Sequence, residues 1–175
     1  MKIDIARQPL VPAFMTLFAL AVAAMCAGIP VSDTSGAVRD ALPLLGGQLA
    51  RFQAAYPVWS KFAAGFMLLF TGMCAGRITI RYNLYTVGTC LPIPLYAIVA
   101  CGIATGGNYL AGFAASMLLA LATKNYCRAF CNGYGFDAIF RASLYLGLMP
   151  LVYAPALPLL LLLPLAVLLF RRTFR

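Results

Sequence analysis

The sequence predicts an all-α, polytopic integral membrane protein with six transmembrane helices and one interfacial amphipathic helix, in a single membrane domain over residues 1–175. Three observations predict it. The chain is 63% hydrophobic and only 10% charged, with a mean hydropathy of +0.92. A small globule in water needs polar side chains over its surface, and this chain has too few. The apolar residues are also gathered into runs of membrane-crossing scale. Finally, the charges fall between those runs in a pattern that encodes topology.

The spans are expected near 10–29, 62–80, 87–104, 109–123, 138–153 and 157–170. The first and third approach the ~20 residues that a crossing helix needs. A cleaved signal peptide competes for the first, because Ala23, Ala24, Ala27 and Gly28 offer small residues. Five further apolar segments favour a retained span. The last two runs form one helical hairpin broken at Ala154-Pro155, with Pro158 in the first turn of its second helix. Short adjacent spans imply helices packed against protein or a thinned bilayer.

With six spans, both termini lie in the cytoplasm and 10 of the 13 Lys and Arg residues face it. Arg39, Arg51 and Lys61 are the exceptions, in the first outer loop. Five spans would put Arg171, Arg172 and Arg175 outside and break the pattern. The predicted location is therefore a bacterial inner membrane. A net charge of +9 does not indicate nucleic acid, because the cations form no single basic face.

Residues 32–56 form the only sizeable polar loop. Val38, Ala41, Leu42, Leu45, Leu49, Phe52 and Tyr56 recur at helical spacing, opposite Arg39, Asp40, Gln48 and Arg51. This predicts an amphipathic helix on the outer membrane surface, bent by Pro43 and Gly46-Gly47. Tyr56-Pro57-Val58-Trp59 marks re-entry at an aromatic belt. Gly65, Gly72, Gly102, Gly106, Gly112 and Gly147 are expected to permit close helix approach.

Histidine is absent, which removes His-based metal sites and Ser-His or Cys-His catalysis from this chain. The six cysteines suggest no disulfide framework, and Cys127 and Cys131, four apart, make a weak metal site at most. No nucleotide-binding or hydrolase motif occurs. No cofactor is expected. The four acidic residues are Asp4, Asp33, Asp40 and Asp137. None falls in mid-membrane, which argues against a transporter component. Asp33 and Asp40 are the candidate catalytic carboxylates, as general base or metal ligand at the outer surface, the alternative being a solvated loop with Asp33 capping a turn. Arg39, Arg51, Arg77 and Arg81 are candidate phosphate-binding residues, with topology and headgroup contact as the simpler role of Arg77 and Arg81.

Several stretches carry a resemblance: Arg81-Tyr-Asn-Leu-Tyr85, Leu91-Pro-Ile-Pro-Leu-Tyr96, and residues 124–158, opening Lys124-Asn-Tyr-Cys-Arg-Ala-Phe-Cys131 and closing Tyr153-Ala-Pro-Ala-Leu-Pro158, then Phe170-Arg-Arg-Thr-Phe-Arg175. Together they resemble an uncharacterised multi-spanning inner-membrane family of Bacteroidota. Members of that family are longer, so the resemblance implies that these residues match its N-terminal portion. More distantly, the order of span, outer loop, span, basic turn and paired short spans is similar to the N-terminal module of GT-C-type membrane glycosyltransferases. Leu146-Gly147…Tyr153-Ala-Pro155 is similar to a hairpin found there. That likeness implies a catalytic carboxylate in the first outer loop, here Asp33 or Asp40. The adjacent acidic pair common in that class is missing.

Two function classes follow. One is a non-enzymatic scaffold or subunit of an envelope complex, whose partners are the lipid bilayer and either another membrane protein or a second copy of the chain. The other is a GT-C-like module acting on a lipid-linked sugar at the outer surface.

Overall fold

The computed structural model describes residues 10–26, 44–82, 90, 92–104, 108–131 and 135–171. Among them every regular element is helical: α1 (Leu10–Cys26), α2 (Leu44–Ala55), α3 (Pro57–Arg81), α4 (Pro92–Ala104), α5 (Tyr109–Cys131), α6 (Phe136–Val152), a 3-10 helix (Ala154–Leu161) and α7 (Leu162–Arg171). One of them, α3, is both long and apolar enough to cross a membrane. α5 is nearly as long, but Lys124, Asn125 and Arg128 occupy its last third.

α3 begins at Pro57, whose missing N–H costs nothing in a first turn. It runs unbroken through the predicted span at 62–80. α5 continues eight residues beyond the predicted end at Thr123, because hydropathy stops at Lys124 while the backbone hydrogen bonding does not. α2 passes straight through Gly46-Gly47, which do not interrupt it. Leu49 of the predicted apolar face packs on the core, and the rest of that face, among the described residues, is open on the surface of the protein. Gly46 and Gln53 are buried, whereas Leu44, Leu45 and Phe52 are exposed.

The hairpin break falls at Tyr153, whose backbone is extended. The following segment is 3-10 rather than α for eight residues. Pro158 lacks the N–H that would bond the Ala154 carbonyl in an α-helix, whereas Pro155 sits in the first turn, where a missing N–H costs nothing. The tighter helix rises ~2.0 Å per residue, so Ala154–Arg171 reaches about 31 Å with α7 at ~1.5 Å per residue. A run that reads as a short span thus has nearly full crossing length.

Directions follow from the contacts. Gly72 lies beside Tyr96 and Gly76 beside Ile93, so α3 and α4 are antiparallel. Ser60 meets Tyr109 at the starts of α3 and α5, and Tyr96 touches both Gly72 and Ser116 further along them, so α3 and α5 are parallel. α5 and α6 are antiparallel, with Ala129 near Ala138 at one end and Ala115 and Ala122 near Leu146 and Met149 at the other. Ala156 joins the second group and Ala166 the first, so the 3-10/α7 segment turns back along α6. The end holding Ser60 and Tyr109 is called the upper end below, and the end holding Arg77 and Lys124 the lower.

The core is inverted in size. Thirteen of the 24 buried apolar residues described are alanine, while 27 large apolar residues are exposed. In α3, Gly72 and Gly76 are buried against Leu17 and Ile93. They form the close-approach stripe that brings α1 and α4 onto α3. Gly147 does not act this way: it is exposed, and no atom lies within 4 Å of where its Cβ would be. Its face of α6 points away from the bundle. Gly106 lies outside the described residues.

Candidate functional site

The upper end is locked by buried polar contacts. The Ser60 hydroxyl donates to the Pro57 carbonyl at 2.8 Å. Its 2.6 Å contact with the Tyr109 hydroxyl is therefore a donation from the phenol. Beside it, the Leu110 N–H donates to Gln53 Oε1 at 3.4 Å. That N–H belongs to the first turn of α5, where no carbonyl of the same helix can accept it. Gln53 thus ties α2 to α5. Removing the Ser60 hydroxyl orphans a buried phenol, whereas removing the Tyr109 hydroxyl leaves Ser60 still bonded to Pro57. Ser60→Ala is therefore expected to destabilise by about 1–2 kcal/mol and Tyr109→Phe by about half that. Unfolding of the purified protein in mixed micelles would measure the difference.

Next to this lock, Phe52, Tyr56, Trp59, Phe62 and Ala63 line an open cleft of about 460 Å³ at the α2–α3 elbow. Phe52 and Tyr56 pack with ring centroids 5.6 Å apart, and Trp59 and Phe62 with centroids 6.4 Å apart. The lining is almost wholly apolar. It suits a hydrocarbon chain and offers no acid or base. Arg51, one residue before Phe52, is exposed.

In the middle of the bundle the Ser116 hydroxyl donates to the Phe113 carbonyl at 2.8 Å, and the Tyr96 hydroxyl donates to Ser116 at 3.3 Å. The Thr71 hydroxyl of α3 is buried beside the Tyr96 hydroxyl. This polar seam joins α3, α4 and α5.

At the lower end, Arg77 and Arg81 are exposed one turn apart on α3. Lys124 and Arg128 are exposed one turn apart on α5. Because α3 and α5 are parallel neighbours, the two pairs lie at the same end of the bundle. Cys74 is partly buried within reach of both Lys124 and Arg77. Arg141 Nε donates to Asp137 Oδ1 at 3.0 Å on the exposed first turns of α6. Asp137 is therefore a helix-terminal, ion-paired residue, favoured there by the helix dipole.

Of the sequence-predicted candidates, Arg77 and Arg81 lie at the same end as further cations, and Arg51 stands apart from them at the upper end. Asp33, Asp40 and Arg39 lie outside the described residues. Lys124 and Arg128 were assigned to topology alone by the sequence, and their pairing with Arg77 and Arg81 depends on a helix-to-helix contact that no local pattern encodes. Cys127 and Cys131 do lie on one helix, at the lower end of α5. Among the described residues no group of three potential metal ligands occurs. No family model, curated protein or solved structure matches this chain.

Proposed function

We propose that the chain is a six-span protein of a bacterial inner membrane, with both termini cytoplasmic, acting as a non-enzymatic scaffold or subunit of an envelope complex. The observation that carries the membrane reading is the inverted core. Alanine and glycine inside with Phe, Leu, Ile and Met outside gain nothing in water. In hydrocarbon, helices associate by close packing of small residues, and large side chains face lipid freely. The dimensions agree. From Trp59 to Arg77 along α3 is about 27 Å, near the ~30 Å hydrocarbon thickness. Exposed Phe62, Phe66, Phe70 and Met73 lie between them. Tyr56, Trp59 and Tyr153 then form an upper aromatic belt, and Arg77, Arg81, Lys124 and Arg128 the cytoplasmic edge. A multi-spanning architecture is also what the resemblance of residues 81–85, 91–96, 124–158 and 170–175 to a Bacteroidota inner-membrane family implies.

The scaffold role rests on what the described residues offer. Their one carboxylate, Asp137, is committed to Arg141 at the exposed lower end. Their two buried polar groups of contacts tie helices together. The GT-C-like reading is favoured by one observation, the apolar aromatic cleft below α2, which suits the hydrocarbon chain of a lipid-linked sugar.

Two measurements test this. After alkaline carbonate extraction of membranes, the tagged protein is expected in the pellet, and its release would remove the membrane reading. Native mass spectrometry from mild detergent is expected to show a homo-oligomer or a co-purifying envelope protein at fixed stoichiometry. A partnerless monomer would remove the scaffold reading.

A further inference from the structure

Arg77, Arg81, Lys124 and Arg128 gather four positive charges on the adjoining lower ends of two parallel helices. None meets a carboxylate among the described residues, because Asp137 is held by Arg141. The helix dipoles offset only part of this. Each C-terminus carries roughly half a negative charge, so among the described residues two of them leave most of the four cations uncompensated. The two helices run parallel from the Ser60–Tyr109 contact, with Tyr96 touching both Gly72 and Ser116 further along, so the four exposed cations lie at the same end of the bundle. Such a cluster is stabilised by an anion shared between the helices. Arg supplies a planar fork for phosphate oxygens and Lys a compact point charge.

We propose that the lower α3–α5 junction is a binding site for a phosphate group, held by Arg77 and Lys124 and completed by Arg81 and Arg128, and that its occupant is an anionic phospholipid headgroup. The lipid source rests on the membrane reading above. Arg77 and Lys124 then sit at the cytoplasmic headgroup level, while the exposed apolar flank of α3, including Phe70 and Met73, receives the acyl chains. A doubly charged diphosphatidylglycerol would engage more of the four cations than a singly charged phosphatidylglycerol, so the site ranks lipids by charge. Arg51 and Arg141 are excluded from it, the first by its place at the upper end and the second by its ion pair.

The test is native mass spectrometry of the full-length chain in mild detergent, titrated separately with diphosphatidylglycerol, phosphatidylglycerol, phosphatidylethanolamine and inorganic phosphate. The expected result is one saturable anionic lipid per chain, in that order of affinity, with no retention of inorganic phosphate. The double variant R77Q/K124Q is expected to weaken lipid binding about thirtyfold, on roughly a fivefold contribution per basic residue at a lipid surface. R51Q and R141Q should bind as wild type, and the charge-preserving R77K/K124R should retain most of the affinity. Matching far-UV circular dichroism would show that the variants remain folded. Should R77Q/K124Q misfold, the single variants R81Q and R128Q carry the comparison, each expected to weaken binding severalfold. Wild-type affinity in the variants that remove site charges would overturn the proposal. Binding of inorganic phosphate through the same residues without lipid would keep the phosphate site and overturn its lipid occupant. Carbonate extraction reads the membrane assignment separately, so failure of that assignment is distinguishable from failure of the site.

Discussion

Replacing Gly76 with leucine is expected to destabilise the bundle by about 3 kcal/mol or more, and the same change at Gly72 by a similar amount. A Cβ at Gly76 would lie 2.5 Å from Ile93 Cδ1 and 2.6 Å from its Cγ1. At Gly72 it would lie 2.6 and 2.9 Å from the two δ-methyls of Leu17 and 3.3 Å from Tyr96 Cδ1. Leu17 and Ile93 are fully buried, so neither can swing into open space. Overpacking by a single methyl costs about 1–3 kcal/mol, and leucine adds three further carbons that can be accommodated only by moving α1 or α4 off α3. Gly147→Ala is the contrasting case. Nothing lies within 4 Å of its Cβ position, so the change is expected to be neutral, or to stabilise by up to about 1 kcal/mol through helix propensity. Denaturation in mixed micelles, followed by circular dichroism, compares the three. Equal effects at Gly147 and Gly76 would contradict the packing described.

Phe113→Ala is expected to cost about 2–3 kcal/mol, while Phe66→Ala costs almost nothing. Phe113 is the largest fully buried side chain, at 2% exposure, and Phe66 is 67% exposed. In water, emptying a buried Phe site costs about 3–5 kcal/mol, because a lost transfer energy adds to a cavity. Between helices in lipid the transfer part largely disappears, since a separated helix exposes its side chain to hydrocarbon. The cavity part remains, because close contacts are lost whatever the solvent. The expected value is accordingly at the low end of the range for soluble proteins. The same denaturation experiment measures it. A loss above 4 kcal/mol at Phe113 would indicate a core driven by exclusion of water.

Helix existence was legible because apolar runs longer than a turn have few alternatives in this composition. The run at 62–80 lies wholly inside α3. Helix ends were less legible, and for one reason. Hydropathy reports the surrounding solvent, whereas a helix ends where its hydrogen bonding ends. Thus α5 continues through Lys124 and Arg128, and α2 continues through two glycines. The 3-10 form of Ala154–Leu161, with Pro158 inside it, is something no apolar count contains. Facing was the least legible property. Gly72 and Gly147 read alike in sequence, yet one is covered and the other open, and Gly76, which the sequence does not single out, is covered as well. The lower basic cluster followed the same rule. Arg77 and Arg81 could be singled out locally, but Lys124 joins them across a chain separation of more than forty residues.

The most direct test of an inside-out bundle that crosses a bilayer is thiol accessibility in spheroplasts. Single cysteines would be placed at Trp59 and Tyr153 (upper end), at Arg81 and Phe136 (lower end), and at Phe66 (exposed apolar face), in a chain whose six native cysteines are replaced by serine or alanine. A membrane-impermeant maleimide is expected to label residues 59 and 153 in intact spheroplasts, and 81 and 136 only after permeabilisation. Residue 66 is expected to stay unlabelled until detergent is added. Labelling of both ends before permeabilisation, or of residue 66 without detergent, would contradict a bilayer-crossing bundle.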